Sequence, residues 1–225
     1  MSIATAAAAF TPHQALAERL LPALDSSGTD GSHDLSHLLR VWRNAATIAA
    51  TEPTADAALL AAAVILHDCV AVEKSSPLRS QASRLAADRA RGLVAALGWT
   101  DARIDALAHA IEAHSFSAGI EPRTLEACIL QDADRLDAIG AIGIARCFYT
   151  GGRMESLLYD PDDPAAARRA LDDRRYALDH FEAKLFRVAD GFRTPAGQAM
   201  ARDRTATMRG FVLAFHAEIS GRSTA

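Results

Sequence analysis

Aromatic residues make up only 6% of the 225 positions, and cysteine is scarcer still, with three. Few aromatic or β-branched runs beside abundant Ala and Leu argue against sheet and for helix. Cys69, Cys128 and Cys147 are odd in number and form no C-x-x-C, which speaks against a disulfide framework and fits a reducing cytosol. A membrane span needs ~18 apolar residues; the longest run here, Ala57 to Leu66, has ten. The start, MSIATAAAAFTPHQ, has no positively charged segment and too short an apolar core for a secretory signal. At a net charge of -4 there is no global basic signature for nucleic acid. Arg168-Arg169 and Arg174-Arg175 stand beside Asp172 and Asp173 and read as a salt-bridged helix face. The expectation is a soluble, cytoplasmic protein that engages neither membrane nor nucleic acid.

Alternating strand patterns, internal repeats and low-complexity linkers are also missing. What is present is helical spacing, broken by turn residues. Helices are expected over about 12–24, about 34–50 and from Asp56 as cap through "AALLAAAVILHD". More follow over about 79–97, with Gly98 ending the helix, and from Thr100 or Asp101 to about His114. A long one carries "TLEACILQDADRLDAIGAIGIARCF", and two more cover about 164–189 and 195–219. This predicts one all-α domain over 1–225, with its core at 30–150, C-terminal helices at 164–220 packed on it, and disorder over 1–10.

Three polar groups do not fit a plain helical bundle. In "SHDLSHLLRV", His33 and His37 are four apart and can share a helix face, provided the helix begins before Asp34. In "LHD", His67 and Asp68 follow the apolar run directly; adjacent side chains point about 100° apart on a helix, so both reach one ion only near its end. In "LQDADRLDAIGA", Asp134 and Asp137 can share a face, whereas Asp132 and Asp134 point in nearly opposite directions. Each group taken alone has an ordinary explanation as loop or surface polarity. Together, imidazoles and carboxylates suit a divalent ion such as Mn, Fe, Co, Ni or Zn. A site with open coordination positions acidifies a bound water and polarises a phosphoryl oxygen. With no thiolate in the set, a structural zinc site is not expected.

The order His, His-Asp, Asp resembles the HD-domain metal-dependent phosphohydrolase superfamily. "HLLRV" at 37–41, "LHD" at 66–68 and "DADRLDAIGAIGIAR" at 132–146 are similar to its ligand segments. "HDCVAVEKSSPLRSQAS", "IEAHSFSAG" and "LYDPDDP" resemble its bacterial YedJ/YpgQ-type branch, over roughly 30–220 of the chain. The resemblance implies an all-α HD bundle and one divalent ion (Mn, Mg, Co, Ni or Fe) held by His37, His67, Asp68 and Asp134. Asp132 is the reserve for the fourth ligand, and Asp34 or Asp137 are candidates to orient a ligating imidazole. Asp68 and His114 are the implied catalytic groups, His114 as general acid or phosphate contact. His33, Lys74, Arg79 and Arg135 are implied substrate contacts. The implied activity is hydrolysis of a phosphate ester or anhydride in a small metabolite, a nucleotide being expected, with phosphate or pyrophosphate released. Two rivals stand beside it: a nucleotide-binding or regulatory protein without turnover, and a di-iron oxygenase, which needs extra histidine ligands. The Ala-rich helices leave room for a homodimer.

Overall fold

The apolar run seen in the sequence forms a helix, α4 (Ala57–Leu66), and Asp56 starts it. The Asp56 carboxylate accepts the backbone N–H groups of Ala58 and Leu59 at 3.1 and 2.9 Å, satisfying donors that a helix start leaves open. From Leu59 to Leu66 every residue is buried, as expected of a helix apolar on all sides. The computed structural model describes residues 2–24, 35–70, 72, 76, 78–115 and 118–222, with the Arg79 side chain excepted.

Two compact units appear, Met1–Asp134 and Arg135–Ala225. The boundary falls within a single helix, just after Asp134. The first unit contains α1 (Ile3–Ala8), α2 (Gln14–Leu20), α3 (Leu35–Ala49), α4, α5 (Ala82–Ala95), α6 (Asp101–His114) and most of α7 (Leu125–Asp137). α4 lies at its centre and packs against α2, α3, α5 and α6. Arg103 of α6 donates twice to Asp56 at 2.9 Å and stacks over Trp99, so the cap of α4 is tied to its neighbour. α3 buries His37, Leu38, Val41, Trp42, Asn44 and Ile48 along one stripe. Gly98, at φ +79°, ends the fifth helix as its spacing suggested.

Two expectations fail, one in each unit. Disorder was expected over residues 1–10, yet Ile3–Ala8 is a helix capped by the Ser2 hydroxyl. Phe10 is fully buried and stacks on Trp42 at 4.9 Å, while Trp42 Nε1 donates to the Ala9 carbonyl at 2.8 Å. Burial of one large aromatic anchors a segment whose Ala-rich composition carries little signal. The helix expected to run unbroken through "DAIGAIGIARCF" is interrupted: Ile139 is extended, and α8 (Gly140–Arg153) begins afresh at Gly140, whose φ is +76°.

In the second unit α8 packs against α10 (Pro195–Ile219), whose start has Thr194 accepting from Gly197 N–H and Pro at the first position. Phe148 and Phe211 lie 6.1 and 5.8 Å from Phe181 in its aromatic core. The helix expected over 164–189 is mostly absent. Asp163 accepts the N–H groups of Ala167 and Arg168, and Asp179 accepts that of Asp172 as well as the Arg169 guanidinium. These side chains take the backbone donors a helix would need. Helix resumes only with a wide turn at Phe181–Leu185 and the short α9 (Phe186–Val188). Among the described residues the only bridge pairing is the isolated Leu157–Tyr176 contact, and no helix is long and apolar enough to cross a membrane.

Candidate metal centre

His67 follows the last residue of α4, where the final carbonyls have no helical N–H partner. Its Nδ1 lies 2.7 Å from the Val64 carbonyl. A carbonyl only accepts, so Nδ1 carries the proton and Nε2 keeps its lone pair. Asp68 comes next in the chain, 43% exposed, while the His67 side chain is 1% exposed. A helix end therefore delivers a buried nitrogen and a half-exposed carboxylate to the same place.

Two further helices complete the cluster. His37 stands in the first turn of α3 and is buried; Asp134 stands on α7. His37 Nε2 lies 3.5 Å from Asp134 Oδ1 and 4.0 Å from Asp68 Oδ2. His67 Nε2 lies 3.5 Å from Asp68 Oδ2 and 3.9 Å from Asp134 Oδ1. Direct imidazole–carboxylate hydrogen bonds would be about 2.7–2.9 Å long. Donors bonded at about 2.0–2.2 Å to one ion lie roughly 3–4.4 Å apart. The observed spacings fall in that second range. Two nitrogen and two oxygen donors of this kind suit Mn, Fe, Co, Ni or Zn and leave room for further ligands. The four residues thus fit a divalent ion.

His114, the last residue of α6, is held as His67 is: its Nδ1 meets the Ile111 carbonyl at 2.6 Å. Its Nε2 points to Asp68 Oδ1 at 3.7 Å, the oxygen other than the one nearest His37 and His67. Burial, and then the charge of neighbouring His67, hold its pKa below the ordinary imidazole value; Asp68 and Asp134 offset part of this. His67, Asp68 and His114 also form a group whose ligand atoms lie within 4.8 Å of one another, as do His37, His67 and Asp134.

Of the other residues singled out in the sequence, the described ones have surroundings of their own. Asp132 is fully buried on α7 and belongs to neither group. Asp137 is buried and paired with Arg146 at 2.6 Å. Arg135 donates to the Gly191 carbonyl at 2.8 Å. His33, Asp34 and Lys74 lie outside the described residues, as does the Arg79 side chain. Two buried amides were not anticipated. Asn44 donates to the Ala133 carbonyl at 3.0 Å, and Gln131 donates to the Ala113 carbonyl at 2.6 Å. Only the position of Asn44, seven residues after His37, hinted at the first.

The HD domain model matches residues 34–139, the span that carries all five clustered side chains. Bacillus subtilis YpgQ, a protein without an assigned function, is 32% identical over 211 residues, covering 91% of this chain and 94% of YpgQ. The crystal structure of YpgQ with ADP superposes with a TM-score of 0.68 at 26% identity, covering 95% of this chain and 96% of that one. An HD-superfamily hydrolase from Bacillus thuringiensis gives 0.68 at 27% identity over 97% and 98%. Likeness of this extent, along nearly the whole of both chains, means that the chain belongs to the HD-domain superfamily of hydrolases, on the branch that contains YpgQ.

Proposed function

We propose that the protein is a metal-dependent phosphohydrolase acting on a small phosphorylated metabolite, a nucleotide, with release of phosphate or pyrophosphate. The observation that carries this reading is the arrangement of His37, His67, Asp68 and Asp134, whose facing donors stand 3.5–4.0 Å apart. A divalent ion (Mn, Mg, Co, Ni or Fe) supplies Lewis-acid polarisation of a phosphoryl oxygen and an acidified water. The protein supplies the rest. The buried histidines present ring nitrogens shielded from solvent, and Asp68 faces outward, where it can take a proton from the attacking water. His114, whose Nε2 lies 3.7 Å from Asp68 Oδ1, is the residue assigned to the leaving group or to a phosphate contact.

A phosphorylated substrate needs positive charge beyond the ion. Lys74, Arg79, Arg135 and His33 are the groups assigned to it, Asp132 is the reserve for the fourth ligand, and Asp34 or Asp137 is assigned to orient an imidazole. That YpgQ was crystallised with ADP favours a nucleotide here. Three free thiols favour the cytoplasm as its compartment.

A nucleotide panel tests the reading. Purified protein is assayed with Mn, Mg, Co and Ni, and phosphate and pyrophosphate are read separately. Turnover of at least one nucleotide is expected, with loss of more than about 100-fold in His67→Ala, beyond the 10–100-fold typical of outer-shell changes. Equal turnover by wild type and His67→Ala contradicts it.

A further inference from the structure

His37 and Asp134 come from different helices, so something must set the distance between them. Asn44 lies seven residues after His37 on α3, which returns it to nearly the same face. It is 6% exposed, and its Nδ2 donates to the carbonyl of Ala133, the residue before Asp134, at 3.0 Å. A helical carbonyl already receives a helical N–H. The Asn44 bond is therefore an addition that joins α3 to α7 beside the ligand, and α7 does not need it in order to be a helix.

Gln131 makes the matching connection on the other side. It lies three residues before Asp134 and is 2% exposed. Its Nε2 donates at 2.6 Å to the carbonyl of Ala113, the residue before His114. That carbonyl belongs to the last turn of α6, where helical partners run out. Gln131 Oε1 is buried with no hydrogen-bond partner among the described residues. An amide that leaves its oxygen unsatisfied in a core is disfavoured unless its nitrogen is needed. Here the nitrogen ties the ligand helix to the end of α6.

We propose that Asn44 and Gln131 are positioning residues, a two-amide clasp that holds α7 between α3 and α6 so that Asp134 meets His37 and His67 at ion-binding distance. Neither touches the ion or the substrate. Both act through the backbone beside residues that do. The inference rests on the proposed metal site and concerns how tightly that site is held.

Metal binding tests it without reference to turnover. Mn(II) titration by calorimetry is run on wild type, Asn44→Ala, Asn44→Ser, Gln131→Ala, His67→Ala and the core control Ile48→Val. Serine keeps a polar atom at position 44 but does not reach Ala133, so it serves if Asn44→Ala fails to fold. Each folded clasp variant is expected to weaken Mn(II) affinity about 10-fold or more, as losing an outer-shell partner does. Ile48→Val should lose some stability and keep wild-type affinity. If wild type binds Mn(II), His67→Ala does not, and the clasp variants match wild type within about twofold, the clasp is overturned and the metal site stands. If wild type binds no divalent ion, the metal site fails and the clasp falls with it.

Discussion

His67 and His114 are locked by the same bond at the ends of two different helices. Each gives its Nδ1 proton to the carbonyl three residues earlier, at 2.7 Å for Val64 and 2.6 Å for Ile111. Their rings meet edge to face at 4.9 Å. The shared lock separates into different roles at Asp68, because His67 faces Oδ2 and His114 faces Oδ1. Adding Mn(II) at 100 times its dissociation constant should stabilise wild type by about 2.7 kcal/mol, or roughly 5–10 °C in melting temperature. His67→Ala should lose that rise. His114→Ala should keep most of it while losing turnover. A His114→Ala variant with no Mn-dependent rise would place His114 among the ligands instead.

Two glycines of α8 should respond in opposite directions to the same substitution. A Cβ at Gly143 would fall against the carbonyl oxygen of Ala138, and backbone cannot move aside as a flexible side chain can. A Cβ at Gly152 meets nothing within 4 Å. Gly143→Ala should destabilise by about 1–3 kcal/mol through overpacking. Gly152→Ala should stabilise by up to about 1 kcal/mol, since alanine loses less backbone freedom in a helix. Urea denaturation gives both signs, and equal effects would contradict the contact geometry.

Acid sensitivity of the second unit should run through Asp179. Burial alone would raise its carboxyl pKa, but the Arg169 bonds and the Asp172 N–H outweigh burial and hold it below the ordinary value. A carboxylate with a lowered folded pKa contributes stability above its unfolded pKa of about 3.9. That contribution is lost as pH falls through the folded value. Asp179→Asn should therefore melt more than about 4 °C lower at pH 7 and lose less between pH 5 and pH 3 than wild type does. Parallel melting profiles across that range would rule the linkage out.

Much of the candidate site was legible because its residues are chemically unusual for their surroundings. His67 and Asp68 stand at the end of a wholly apolar helix, and His37 stands in the first turn of another. Asp134 and Asp132 could not be separated by periodicity, because both flank apolar positions on one helix. Only the approach of Asp134 to two imidazoles distinguishes them. Asn44 and Gln131 were silent for another reason: an uncharged amide on a helix looks the same whether it meets water or a neighbour's carbonyl.

The fold was legible where cap and apolar stretch agreed, as at Asp56 and the helix it starts. It was obscured where they did not. Apolar spacing runs straight through Leu136 and Ile139 to Ala141, which hides the break at Gly140. The alternating Arg and Asp pairs of 168–175 imitate a salt-bridged helix. In the structure Asp163 and Asp179 draw them into a network of side chain and backbone.

We place one ion between His37, His67, Asp68 and Asp134. Anomalous diffraction at the manganese edge from crystals grown with Mn(II) tests it most directly. The prediction is one peak bonded at about 2.0–2.3 Å to Nε2 of His37 and His67 and to oxygens of Asp68 and Asp134, with Asp132 outside the sphere. A peak elsewhere, or a structure in which the four side chains stand more than about 5 Å from any common point, would contradict it.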